Sequence, residues 1–376
     1  MIKTKKFLVI SILSGMGSLG LSQSAFAFDI NAGDIQANVY GYAQLNTVYD
    51  INEDIGVATQ SGSFAKLTDS NNVAEGVFDA DQQSVIGISA QHKDGAKVVV
   101  EGHFRGGTFS IRQAYGSYEN WTVGRTWSNY NSWTGWTPTV DIDSTAGIAG
   151  VQDRIEQIRY TDGGLSFALE KDYFPNVNDG SSDWSASTKT SLPTFTARYE
   201  GSAAEGVNFV VAGMGRMLTL DDGTTDESTI GFGAFSGVDV NMGAVTLHAV
   251  VNYSDGTNSY LYRSGGNFTG TDAYLHNGDL ETVSAWGGSI GLSSNIGEGD
   301  FNIVYGKVKM DLDDMNNDLG NVGGNNKANS NAFVNYIWYP VDNVTMGVEL
   351  GYFKSDYFDG SDADATRLMY TAKFSF

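Results

Sequence analysis

The last ten residues, Arg367 to Phe376, alternate in polarity. Leu368, Tyr370, Ala372, Phe374 and Phe376 share one side, and Arg367, Thr371, Lys373 and Ser375 share the other. Successive side chains of a strand point to opposite faces, so this segment reads as a strand with one apolar and one polar face. The same two-residue period recurs in short segments along the chain, with no helical stretch between them. It predicts strands at 36–49, 83–92, 96–104, 108–118, 121–127, 154–161, 165–173, 192–200, 207–216, 228–240, 245–253, 281–294, 301–310, 330–339, 344–353 and 366–376, sixteen in all.

Facing follows from parity. Val344, Met346, Val348, Leu350 and Tyr352 fall on one face and Thr345, Gly347 and Glu349 on the other. Val245, Leu247, Ala249 and Val251 oppose Thr246, His248 and Asn252 in the same way. No window after residue 27 offers the roughly 18 to 20 consecutive apolar residues of a helical span. Strands in hydrocarbon must close on themselves to satisfy their backbone groups. The expected fold is therefore all-β, an antiparallel transmembrane barrel of sixteen strands with lipid outside and water inside. A charge on the lipid face costs about 2 to 4 kcal/mol at mid-membrane, which assigns Arg198, Lys307, Lys309, Glu349, Arg367 and Lys373 to the lumen. Parity fails where Arg154 and Glu156 oppose Arg159, and where Arg125 shares a face with Trp121 and Val123. A subunit interface or a bulge accounts for such residues.

Connection lengths alternate. Short turns are expected at Lys93-Asp94-Gly95, Glu119-Asn120, Asp162-Gly163-Gly164, Gly201 to Gly206, Asn241-Met242-Gly243, Asn295 to Asp300 and Pro340 to Asn343. Longer Asp-rich loops fall at about 51–82, 128–153, 174–191, 217–227, 254–280, 311–329 and 354–365, with one tight turn at Arg105 to Gly107. The short set is expected in the periplasm with both termini, and the long set outside the cell.

The first 27 residues carry Lys3, Lys5 and Lys6, an apolar stretch from Phe7 to Leu21 and then Ala25-Phe26-Ala27, the pattern of a removable signal peptide. Residues 28–376 are then one barrel domain, expected in the outer membrane of a bacterium. Loss of three lysines moves the formal charge from −22 to −25, which argues against nucleic acid as a partner. Absence of cysteine removes disulfide and thiol chemistry.

Candidate chemistry centres on the loop from Ser128 to Asp153. A loop between the fifth and sixth strands can fold into the lumen and narrow it. Arg112, Arg125, Arg154 and Arg159 surround it in sequence, and Asp141 and Asp143 on the loop are placed to face an opposing basic wall. Tyr130, Trp133 and Trp136 offer either a sliding contact for apolar parts of a solute or anchors for the loop. The acidic loops read as solvated surface or as sites for cations shared with lipopolysaccharide phosphates. Asp314, Asn316 and Asp318 open like a calcium loop, but Leu319 replaces the glycine such a loop needs, so no metal is assigned. No cofactor is called for. Gly287-Gly288-Ser289-Ile290-Gly291 matches a nucleophile-elbow spelling but lies inside a predicted strand. His92, His103, His248 and His276 are scattered, and no enzyme is expected.

Several segments resemble the DcaP-like outer-membrane porins, within the broader set of trimeric Gram-negative porins. They are Val39-Tyr40-Gly41-Tyr42-Ala43-Gln44-Leu45, the run Ile111 to Asn129 with its Arg112, Ala114-Tyr115, Asn120-Trp121 and Gly124-Arg125-Thr126, and Arg154 to Tyr160. The resemblance spans the chain after residue 27 and is motif-dense between about 108 and 160. It implies a homotrimer with one pore per barrel, an inward third loop, and Arg112, Arg125, Arg154 and Arg159 as a basic wall favouring anions such as small dicarboxylates. The expected function is a passive diffusion channel for small anionic or polar solutes. A second reading, from another class, is a surface adhesion or phage-receptor protein that acts through its acidic loops.

Overall fold

The computed structural model describes residues 28–56, 62–67, 76–150, 154–178, 188–266, 269–320 and 322–376. The expected signal segment 1–27 lies outside them. Sixteen strands form the wall: β1 (Ile35–Asp50), β2 (Val85–His92), β3 (Lys97–His103), β4 (Ser110–Tyr118), β5 (Trp121–Trp127), β6 (Arg154–Asp162), β7 (Leu165–Glu170), β8 (Thr194–Ala204), β9 (Val207–Asp221), β10 (Asp226–Asn241), β11 (Val245–Asp255), β12 (Ser284–Ile296), β13 (Gly299–Met310), β14 (Asn326–Val341), β15 (Val344–Tyr357) and β16 (Asp362–Ser375). Each pairs antiparallel with its sequence neighbour. β16 returns to β1 in register from Tyr42↔Ser375 to Asp50↔Arg367, which closes the sheet and leaves no open edge in the wall.

Closure uses β1 twice. Its first half carries Phe28–Ala32, in line with the end of β16, and its second half carries Val77–Gln82, in line with β2. The segment before the first strand is thus itself a strand, and the first loop is shorter than 51–82. Several wall strands, among them β9 and β16, extend past their predicted ends at the long-loop side.

Parity holds around most of the wall. Leu350 on β15 is 50 % exposed while the adjacent Glu349 is 1 % exposed, which sorts one face to lipid and the other to the lumen. Aromatics mark both rims of the outward face: Tyr118, Trp121, Tyr199, Tyr336 and Trp338 near the short turns, and Tyr253, Trp286, Tyr305 and Tyr352 toward the long loops.

The lumenal face is not uniformly polar. Phe333, Phe353 and Met369 point inward at the long-loop end and pack with Ile55, Phe64 and Leu67 of the first loop. Phe64 and Phe353 meet edge to face with ring centroids 5.9 Å apart. The loops at this end are drawn into the barrel rather than standing off it.

Candidate functional site

The loop from Ser128 to Gly150 lies inside the barrel and follows the inner wall from β7 round to β15. Wall carboxylates hold it in sequence order. Glu170 accepts the Ser128 hydroxyl at 2.7 Å and the Asn129 N–H at 2.6 Å. Glu200 accepts from the hydroxyls of Ser132 and Thr134, at 2.9 and 2.6 Å. Asp239 accepts the Gly135 N–H at 3.0 Å. Glu349 accepts the N–H groups of Val140 and Asp141, at 2.9 and 2.8 Å. Each is a bond to a carboxylate, with Glu170 and Glu349 buried and Glu200 and Asp239 partly exposed, so the first two are the most shielded of the four.

Glycine on the inner wall lets the loop come this close. A Cβ at Gly237 would stand 2.3 Å from the Thr134 carbonyl oxygen, and one at Gly306 would stand 2.4 Å from that of Ala146. Any side chain there would push the loop toward the channel axis.

A second layer comes from the loop between β11 and β12. Its Tyr262 and Tyr260 carbonyls accept the N–H groups of Gly147 and Gly150, at 3.0 and 2.9 Å. Arg263, fully buried, pairs with Asp141 at 3.3 Å and donates to the Gly62 carbonyl at 2.6 Å, tying three loops together. Arg216 on β9 is also fully buried and bridges Asp172 at 3.2 Å and Asp272 at 2.5 Å. Burial pushes the Asp272 carboxyl above the usual range while the Arg216 guanidinium opposes that shift. These residues were missed in the sequence. The aromatic run Tyr260-Leu261-Tyr262 inside a long loop was the available signal that the loop packs rather than solvates.

The cations on the remaining wall make up the candidate site. Arg112 is the extra residue of a bulge between Glu101 and Gly102, which turns its side chain into the lumen. There it donates to the Tyr42 hydroxyl at 3.1 Å and lies 3.5 Å from Glu101. Glu101 is shared, accepting also from Tyr40 and Gln113. Lys373 on β16 lies 5.2 Å from the Tyr42 ring centroid and close enough to Arg112 for the two to repel. Arg159 on β6 and Arg198 on β8 form a second such like-charged pair. Among the described residues neither Lys373 nor Arg159 has a carboxylate within 4.0 Å.

Other predicted residues are placed differently. Arg125 points outward beside Trp121 and Val123 and pairs with Glu156 at 3.0 Å, so it is a wall residue and not a pore residue. Arg154 stacks on Trp127, 3.7 Å from its ring centroid, on the face opposite Arg159. Lys307 and Lys309 share the face of Ile303 and Tyr305, so they also point outward. Their place at the end of β13 nearest the long loops explains this, since a lipid-facing charge costs only about 0 to 1 kcal/mol near the interface. Asp141 is buried and paired, and Asp143 is buried with its N–H on Asp141 at 3.0 Å, so neither opposes the arginine wall. Tyr130 and Trp136 are buried among Phe235, Tyr260, Val250 and Tyr262, with Trp133 packed beside them, which resolves the aromatic reading in favour of anchors. Arg198, Glu349, Arg367 and Lys373 face the lumen as expected.

One constellation was not visible in the sequence. His248 bonds Asp239 through Nδ1 at 2.6 Å and the Ser293 hydroxyl through Nε2 at 3.0 Å, the order of a hydrolytic triad. Ser293 lies mid-ladder in β12, paired with Thr246 and Asn302, and its backbone offers no donor pair aimed at an oxyanion. The arrangement instead braces Asp239 against the third loop. Gly287 to Gly291 lies in the same strand, ladder-paired on both sides.

No family model matches the chain, and no curated protein matches it. Solved structures do. The outer membrane channel DcaP of Acinetobacter baumannii is 24% identical, with a TM-score of 0.78 over 93% of this chain and 99% of that one. An anion-selective porin from Comamonas acidovorans is 11% identical, with a TM-score of 0.56 over 91% and 100%. The trimer form of OmpT of Vibrio cholerae is 12% identical, with a TM-score of 0.50 over 91% and 99%. At these identities the likeness is one of fold.

Proposed function

We propose that the chain is a passive diffusion channel of a bacterial outer membrane that favours small anions, including short dicarboxylates. The reading takes residues 1–27 as a removed signal, both termini as periplasmic and the active form as a homotrimer. One observation carries it. The acids Glu170, Glu200, Asp239 and Glu349 on the inner wall are hydrogen-bonded to the third loop, whereas among the described residues Lys373 and Arg159 on the lumenal face have no carboxylate within 4.0 Å. Cations on the part of the wall that the loop leaves uncovered, set apart from acids that are screened by the loop's donors, make a local field that attracts anions.

The likeness to an anion-selective porin supports the charge preference, and the likeness to a trimeric form supports the assembly. The outward Arg125–Glu156 pair is better suited to a subunit contact than to lipid.

Purified, refolded protein in a planar bilayer tests the reading. Stepwise conductance is expected, with a reversal potential in a potassium chloride gradient displaced toward chloride. Absence of steps overturns the channel, and displacement toward potassium overturns the anion preference alone.

A further inference from the structure

Charges cluster where a strand leaves the apolar belt. On the outward face of β13 the order is Phe301, Ile303, Tyr305, Lys307 and Lys309, so two cations follow directly on the aromatic rim. Trp286 is the cross-strand partner of Lys309, and Gly288 that of Lys307. Trp286 is 52 % exposed. Among the described residues neither lysine has a carboxylate within 4.0 Å, in a chain of formal charge −22. Lys354 on β15 supplies the contrast, because it is neutralised by Asp356 at 3.3 Å and Asp362 at 3.2 Å.

We propose that Lys307, Lys309 and Trp286 form a docking site for the phosphate headgroup of a phosphorylated glycolipid in the outer leaflet. This rests on the outer-membrane reading above and goes beyond it by naming a lipid and a place. Complementarity of charge and depth argues for that occupant. An unpaired ammonium on the lipid side is stable where its stem covers apolar wall and its head reaches an anionic surface. Trp286 supplies the flat amphipathic surface that packs at the headgroup level. A protein partner would leave the preceding Ile303 and Tyr305, on the same face, either in that contact or in lipid; a lipid fits both halves of the stripe at once.

Native mass spectrometry of the refolded full chain in detergent, with added bis-phosphorylated lipid A, tests it. The wild type is expected to retain the lipid and to lose it when its dephosphorylated form is offered instead. K307Q/K309Q is expected to weaken retention roughly thirtyfold, since each lysine contributes to attraction at an anionic surface. K307R/K309R should retain it, and K354Q should behave as wild type. Equal retention by wild type and K307Q/K309Q overturns the proposal, as does equal retention of the dephosphorylated lipid or no retention at all. Conductance is recorded on the same samples. Protein that conducts without selective lipid binding defeats only this inference, and protein that binds without conducting defeats only the channel.

Discussion

Glu349 accepts the backbone N–H of Asp141 at 2.8 Å, so an acid of the wall and an acid of the third loop stand side by side. The contact survives because Glu349 also accepts from Val140 and from the Asn335 amide at 2.7 Å, while Arg263 neutralises Asp141. The middle of the loop is held by this group together with the packing of Val140 against Val304, Phe333 and Ile337.

Glu349→Ala removes three acceptor contacts at once. Each hydrogen bond to a charged group contributes about 1.5 to 3 kcal/mol, so the apex of the loop should detach from β15 on the recording timescale. Single-channel traces are expected to gain fast flicker and a larger mean open conductance. Traces as quiet as wild type would show that the loop is held elsewhere.

Selectivity should divide the arginines by face. Arg112→Gln with Lys373→Gln removes two lumenal cations and is expected to move the reversal potential toward potassium. Arg125→Gln leaves the lumen unchanged, because Arg125 is spent on Glu156 outside the barrel. An equal shift from both variants would place Arg125 in the pore.

The wall was legible in the sequence because a strand with one wet face writes itself as a two-residue period, and Leu368 to Phe376 follow it in both. What failed was inference from charge alone. Lys307 and Lys309 were sent inward by the cost of a charge in hydrocarbon, yet they lie where that cost has nearly vanished. Arg112 and Arg125 look alike in sequence, and a one-residue bulge at Arg112 is what separates lumen from exterior. The loop network of Arg263, Arg216 and Asp272 depends on contacts among segments distant in the sequence, for which no local pattern exists. Phe333 and Phe353 face the lumen because the first loop covers them, and nothing in a single strand's alternation records that cover.

Gly306 should be intolerant of any side chain. Its added Cβ would lie 2.4 Å from the Ala146 oxygen and 2.5 Å from the Thr145 Cβ, both on the loop rather than on a flexible side chain. Overpacking of this kind costs about 1 to 3 kcal/mol, and here the loop yields before the ladder does. Gly306→Val is expected to fold as a barrel by circular dichroism with conductance changed at least twofold. Gly324→Ala, where no neighbour lies within 4 Å of the new Cβ, is its control.

Arg367 grips Asp50 across the seam that closes the barrel, Nε to Oδ1 at 2.6 Å and Nη2 to Oδ2 at 2.8 Å, with both side chains almost wholly buried. This pair therefore joins β16 to β1 at the seam that closes the sheet. Asp50→Ala strands a buried guanidinium, and breaking a buried pair by removing one partner costs roughly 3 to 5 kcal/mol. The midpoint of urea unfolding in lipid vesicles should fall accordingly. D50L/R367M removes both charges and should recover much of the loss, because replacing a desolvated pair by apolar groups is often neutral or stabilising. If the double variant is no more stable than Asp50→Ala, the pair is not what holds the seam, and the ladder from Tyr42 to Asp50 closes the barrel alone.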